Sequence, residues 1–281
     1  MSSFYPLTFK ENLHTALWGT ESWEISGHTS SPSTVANGEF AGQTLSALAA
    51  TYGRAFMGTK APSETDFPLL FKVIDAQRRL SVQVHPNERT RALIGGEPKT
   101  EMWRVLGGTG PIFAGLQPGT TPQTVAENVE NGRFEETLVR HDAREGLTLF
   151  IPGGLVHAIG ENVLIYEVQQ SSNTTYRLYD WGRVGADGKP RQLHVAAALE
   201  AIDYTLGVPV PCRELDTPFF KFDQEVISGE RVYIAPKDKF LSIFSEREGN
   251  ILLSPGETTV VGPGHYLLTE FTCPTGTVPE R

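Results

Sequence analysis

A mostly β fold carrying short helical insertions is what this chain predicts, on three observations. Its 28 glycines and 19 prolines cut 281 residues into many short apolar runs, which is the punctuation of strands and turns rather than of a helical bundle. Several runs alternate in side-chain character, as in Leu80-Ser81-Val82-Gln83-Val84-His85, and alternation is the period of a strand. Helix signals, by contrast, are confined to brief capped segments.

Taken in order, residues 42–50 predict a short helix with Thr44 as its cap, since a threonine side chain can accept a backbone N–H at a helix start. Strands are expected over 67–84. Thr121 followed by Pro122 opens a second helix, proline being favoured at the first helical position. A third short helix is expected over 131–138, and strands over 148–151, 163–170 and 175–181. Residues 196–202 predict the last helix. The Val208-Pro209-Val210-Pro211 joint then marks a candidate boundary, giving a larger domain over 1–207 and a smaller β-rich one over 208–281. In the latter, runs near 219–228, 231–235, 240–244, 251–254, 258–261 and 266–269 alternate with turn signals such as Ser254-Pro255-Gly256-Glu257.

A net charge of −9 and a pI near 5.3 argue against nucleic acid or an anionic membrane as partner. Two cysteines, Cys212 and Cys273, are too few for a disulfide framework and read as ordinary thiols. The start lacks a basic segment followed by an apolar signal core, and no run approaches the ~20 apolar residues of a spanning helix. The expectation is a soluble, cytoplasmic protein. Nothing in the sequence specifies an oligomeric state.

Candidate chemistry begins at Gln83 and His85, which share one face of a predicted strand while Leu80, Val82 and Val84 take the other. Glu101 follows Lys99 and Thr100. His157 comes directly after the tight turn at Pro152-Gly153-Gly154. One amide oxygen, two imidazoles and one carboxylate can hold a divalent cation and leave positions open for substrate. Glu167 and Gln169 on one strand, a Ser/Asn/Thr cluster, then Arg177 and Tyr179 predict a hairpin lining a polar pocket. Trp18, Trp23, Trp103 and Trp181 read as packing residues rather than a sugar-stacking surface. Gly153-Gly154 reads as a turn that aims His157 rather than a phosphate cradle.

The runs LSVQVHP, KTE, IPGGLVHAIG and VQQSSNTTYRLYDW, in that order over 80–181, closely resemble the type I phosphomannose isomerases, in particular the short bacterial form of that zinc-dependent family. Leu17-Trp18-Gly19, Trp23-Glu24-Ile25-Ser26 and 67–72 add weaker likeness. The resemblance implies cupin-type (double-stranded β-helix) barrels, a catalytic one with helical insertions and a smaller carboxy-terminal one. It implies one zinc ion per chain held by His85, Glu101 and His157, with Gln83 as a less firm ligand, other divalent metals being compatible with the same donors. Arg177 falls on the family's catalytic arginine, and Lys99 and Glu167 on pocket residues.

The implied reaction interconverts mannose 6-phosphate and fructose 6-phosphate, a small-molecule sugar phosphate being the partner. Glu167 is the first candidate for the proton shuttle and Lys99 the second; Lys99, Arg177 and Ser26 are candidates for the phosphate. Asn87-Glu88 after His85-Pro86, and Asn173 and Gly182 at frequent aspartate positions, depart from the family pattern and leave substrate preference open. A noncatalytic sugar-sensing cupin, an isomerase of other or unphosphorylated sugars, and a metal-dependent oxygenase are the alternatives. The sequence contains neither Gly-x-Gly-x-x-Gly nor a Walker-type loop, so no nucleotide cofactor is expected.

Overall fold

The computed structural model describes residues 4–185 and 188–272; Cys273 lies outside them. The chain divides into two compact units, one formed by Leu13–Ser22 and Lys72–Cys212, the other by Met1–Asn12, Trp23–Phe71 and Arg213–Arg281. The proline joint at 208–211 therefore falls beside a division, but the second unit also recruits two segments from the amino-terminal part of the chain.

The unit that contains the candidate ligands is built from β1 (Leu13–Ala16), β2 (Gly19–Ser26), β3 (Leu69–Ala76), β4 (Val82–Val84), β5 (Glu101–Gly108) and β6 (Pro111–Leu116). It continues with β7 (Leu138–Asp142), β8 (Thr148–Ile151), β9 (His157–Ile159), β10 (Val163–Gln170) and β11 (Tyr176–Tyr179), the division between units falling inside β2 and β3. Two sheets result, ordered β1-β2-β3-β10-β5-β8 and β11-β4-β9-β6-β7. Side chains of both fill one core, Ile74, Trp103, Leu149 and Ile165 from the first meeting Ile112, Ala114 and Ile159 from the second. This is the cupin-type architecture expected.

The outer face of the second sheet is covered by the helical insertions. Val82 and Val84 pack there with Phe134 and with Ala198 and Ala201 of the helix Val195–Ala201. Leu80 does not join them: it lies before β4 begins and packs in the inter-sheet core. The cap at Thr121 forms as expected, its hydroxyl accepting the Thr124 N–H at 3.2 Å in front of the helix Pro122–Glu130. Residues 131–138 shrink to one 3-10 turn, Phe134–Thr137, anchored by fully buried Phe134.

The expected hairpin between β10 and β11 does not exist. Both edges of β10 are occupied, by β3 and β5, so β11 crosses to the other sheet and pairs with β4. Likewise the run over 67–84 is two strands in different sheets, broken by the polar turn at Gln77-Arg78-Arg79.

In the other unit, Thr44 caps the helix Leu45–Tyr52 by accepting the Ala47 N–H at 3.2 Å. Its carboxy-terminal part holds β12 (Leu215–Asp216), β13 (Phe220–Ile227), β14 (Arg231–Ile234), β15 (Leu241–Ser245), β16 (Gly249–Leu253), β17 (Thr258–Val261) and β18 (Gly264–Phe271). These form a five-stranded sheet β12-β13-β18-β15-β16 and a two-stranded β14-β17 ribbon around Tyr233, Ile243, Leu253 and Tyr266. Among the described residues no helix is long and apolar enough to cross a membrane.

Candidate metal centre

Three strands bring the expected ligands together. His85 follows β4, Glu101 opens β5 and His157 opens β9, while the ladder sets Gln83 directly opposite His157 on one side and Arg177 on the other. The Pro152–Leu155 turn aims His157. A side chain at Gly153 would come within 2.8 Å of the Pro86 carbonyl oxygen, and Gly154 has φ +97°, so both positions require glycine. The Gly153 and Gly154 N–H groups donate to Thr100 Oγ1 (3.1 Å) and the His85 carbonyl (2.8 Å), which ties the three ligand-bearing segments to one turn and leaves no phosphate cradle.

His85, Glu101 and His157 are at most 1% exposed, and one donor atom from each lies within 4.8 Å of the others. Nδ1 of His85 donates to the Thr174 carbonyl and Nδ1 of His157 to the Leu155 carbonyl, both at 2.8 Å. This hydrogen bonding assigns the tautomer: each Nε2 is an acceptor pointed inward. The two Nε2 atoms face each other at 3.1 Å and stand 3.6 and 3.5 Å from the Glu101 carboxylate oxygens. Ligands about 2 Å from a tetrahedral cation are spaced by about 3.4 Å, which matches.

Burial drives the His157 imidazole down to about 3 and holds His85 well below the usual imidazole range, with the Lys99 charge adding to both, so the pair stays neutral as a ligand must. The Glu101 carboxyl is pushed up to about 7 by burial and by the neighbouring Glu167 charge. Its Oε1 is buried with no hydrogen-bond donor. Facing lone pairs and an orphaned carboxylate oxygen in a dry site are unfavourable alone and fit a divalent cation.

Around the triad runs a chain of alternating charge. Lys99 Nζ lies 2.8 Å from Glu101 Oε2, 3.2 Å from His85 Nε2 and 4.0 Å from Glu167 Oε1; Lys72 Nζ lies 3.3 Å from both Glu167 and Glu21. The other oxygen of Glu167 accepts the Trp103 indole N–H at 2.9 Å. Burial opposes ionisation of Glu167, but the Lys99 and Lys72 charges overcome it and hold its carboxyl below the usual range. Lys72 is held above the ordinary lysine value, burial being outweighed by Glu21 and Glu167.

A polar cavity of about 130 Å³ adjoins this array, lined by Glu21, Lys72, Gln83, Lys99, Glu167, Arg177 and Arg191 among others. Trp18 contributes to its wall, while Trp103 is buried beside His157 and Trp181 packs under Arg79. Ser26 is elsewhere, its hydroxyl accepting the His28 N–H. Lys72, Glu21 and Arg191 escaped the sequence reading. For Lys72 the signal was available, because a lysine inside Leu69-Leu70-Phe71-Lys72-Val73-Ile74 must find an anion if the strand is buried.

The model of the family described as phosphomannose isomerase type I, catalytic domain, matches residues 12–101. Mannose-6-phosphate isomerase ManA of Bacillus subtilis is 35% identical over 218 residues, 70% of this chain and 68% of that protein. The mannose-6-phosphate isomerase of Streptococcus mutans is 32% identical over 224 residues, 73% of this chain and 69% of its own. The chain belongs to the type I phosphomannose isomerase family. The fold is shared over most of the chain: the crystal structure of the mannose 6-phosphate isomerase from Bacillus subtilis superposes with a TM-score of 0.81, covering 95% of this chain and 99% of that one at 24% identity. A second solved phosphomannose isomerase, bound with zinc and yttrium, superposes with a TM-score of 0.66 over 96% of this chain and all of that one at 14% identity.

Proposed function

We infer that this family member interconverts mannose 6-phosphate and fructose 6-phosphate, in the cytoplasm, using one divalent ion held by His85, Glu101 and His157 with Gln83 beside them. The observation that carries the reading is the buried His-Glu-His cluster, its two imidazoles neutral, joined through Lys99 to the ionised Glu167. Zinc is the proposed metal: nitrogen and oxygen donors suit it, and a solved family structure is described as bound with zinc. When bound, the cation supplies a Lewis acid that polarises the sugar carbonyl and favours the charge that develops on its oxygen.

The residues of this chain do the rest. Glu167 is held ionised at the cavity wall, so it can take the proton from the carbon beside the carbonyl and return it to the adjacent carbon. Lys99, bonded to Glu101 and reaching the cavity, carries the hydroxyl proton between the neighbouring substrate oxygens. Arg177 is fixed by Ser81 Oγ (3.2 Å) and the Gln192 carbonyl (2.8 Å), and its fixed charge orients the sugar and stabilises the enediolate.

A coupled isomerase assay with metal analysis on the purified protein tests the reading. Turnover should vanish on chelation, return with zinc, and favour mannose 6-phosphate over mannose. Sugar binding without turnover would make the protein a sensor, and oxygen consumption with bound iron an oxygenase. Full turnover with no detectable metal would remove the central claim.

A further inference from the structure

A second cavity, of about 220 Å³, is larger than the polar one beside the triad and shares none of its lining. It forms where the loop after β6 meets the segment that follows the helix Val195–Ala201, over the turn that leads into β9. Leu155, Val156 and Ile202 make a buried floor, and Pro118, Gly119 and Gly207 an exposed rim. The lining is mostly apolar, with Leu116, Leu206 and Val208 completing the walls, and it contains no lysine, arginine or histidine. With Asp203 as its carboxylate, such a cavity repels a phosphate or any other anion, so it is no second place for a sugar phosphate.

Most polar groups of the lining are already spent. Gln117 Nε2 donates to the Leu138 carbonyl at 3.0 Å, the Thr120 hydroxyl to the Gln117 carbonyl at 2.7 Å, and Asp203 Oδ1 accepts from the Thr205 N–H and hydroxyl. Tyr204 is the exception: its hydroxyl is buried and has no hydrogen-bond partner among the described residues. An unmatched buried hydroxyl is unfavourable and calls for one oxygen or nitrogen on whatever fills the space beside it. A benzene-sized molecule fills a cavity of about 150 Å³, so about 220 Å³ suits roughly nine non-hydrogen atoms. The wall is also the support of a metal ligand. The Leu155 carbonyl accepts His157 Nδ1 at 2.8 Å, and the flanking Gly154 and Val156 carbonyls accept the Asp203 N–H at 3.0 Å and the Gly115 N–H at 2.8 Å.

We propose that this cavity is a regulatory site for a neutral, one-ring aromatic molecule bearing one hydrogen-bonding oxygen, which Tyr204 recognises, and that its occupancy reaches the metal centre through the hydrogen bond between Leu155 and His157. The apolar floor supplies affinity and the Tyr204 hydroxyl supplies the preference for an oxygen. Filling the cavity fixes the backbone of residues 154–156, and with it the ring that must present Nε2 to the cation. The coupling rests on the metal reading above, whereas the binding does not.

The test titrates p-cresol, and toluene as its oxygen-free control, into the full chain in metal-free and zinc-loaded forms, followed by methyl NMR. The methyl signals of Leu155, Ile202 and Leu206 should move, with a Kd for p-cresol of about 1 mM or tighter. Toluene should bind about fivefold more weakly, and Tyr204→Phe, checked for unchanged melting, should erase that preference. The p-cresol Kd should differ about fivefold or more between the two forms, and by linkage saturating p-cresol should shift zinc affinity by the same factor. Absence of shifts up to about 10 mM p-cresol, or shifts confined to methyls elsewhere, would remove the site. Equal p-cresol affinity in the two forms would overturn the regulatory role. A dimer in sedimentation that p-cresol dissolves would seat a side chain of a second copy there instead and overturn the small-molecule assignment. Should the chain bind no zinc, the metal reading falls by itself, and the titration of metal-free protein still decides the cavity.

Discussion

Two antiparallel β regions of the molecule invite comparison: the sheets that carry the triad and the carboxy-terminal sheet of β12 to β18. The first buries Lys72, His85, Lys99, Glu101, Arg104, His157, Glu167 and Asp180. Among the described residues, the second buries no ionisable group of that kind; its buried polar residues are Thr217, Ser242, Ser245, Asn250, Ser254 and Thr269. Both have apolar cores and the same strand-and-turn grammar, so folding alone does not call for buried charge. A dry ion costs several kcal/mol unless matched. Its concentration in one region marks where the molecule accepts that cost for chemistry.

The largest effects should come from breaking the triad. His157→Ala and Glu101→Gln should each lose the bound metal and reduce turnover by on the order of a thousandfold or more, checked by elemental analysis beside kinetics. Retention of metal by either variant would detach the cluster from its assigned role. Next comes Arg177→Lys, which keeps the charge but not the fork held by Ser81 and Gln192. It should lose about a hundredfold in kcat/KM with metal content unchanged.

The comparison sharpens with one lysine from each region. Lys72→Met removes the buried cation that Glu21 and Glu167 share and should destabilise the fold by about 3–5 kcal/mol in denaturant unfolding. Lys239→Met breaks a partly exposed pair with Glu270, 2.6 Å apart, and should cost at most about 1 kcal/mol. Equal losses would show that buried charge does not separate the two regions.

Acid provides a further probe. Burial opposes ionisation of Asp180, but hydrogen bonds from Arg191 and Arg183 outweigh it and hold the carboxyl below the ordinary aspartate range. Its stabilisation is therefore complete above the unfolded-state value near 4 and is lost as pH falls further, through the folded value. The stability gap between wild type and Asp180→Asn should be constant at neutral pH and shrink below about pH 4; a gap independent of pH would mean the carboxylate charge contributes nothing. The smallest effect is expected at His265. Gly264 pairs with Ile227 and starts β18, so His265 lies on that strand, and it is exposed. His265→Ala should leave metal content and turnover unchanged and alter stability by less than about 0.5 kcal/mol.

Local information was legible along the chain itself. The caps at Thr44 and Thr121, the strands over 148–151, 163–170 and 258–261, and the candidate ligands in contiguous motifs all follow from residue type and spacing. Pairing was not. Glu167 and Arg177 look like two arms of a hairpin because they stand ten positions apart across turn formers, yet β10 has no free edge and β11 belongs to β4. Periodicity specifies which face a side chain takes, whereas the partner strand is chosen by competition among all edges in the fold.

The same reason explains the cavity. Residue chemistry by itself determined that this chain has a β scaffold and the donors for a divalent ion. Only the tertiary structure decided that Lys72 completes a charge chain to Glu167, and that Asp180 orients Arg191 toward a cavity shared with Arg177. Those contacts join segments far apart in sequence, and their energies exist only once burial has removed water from between them.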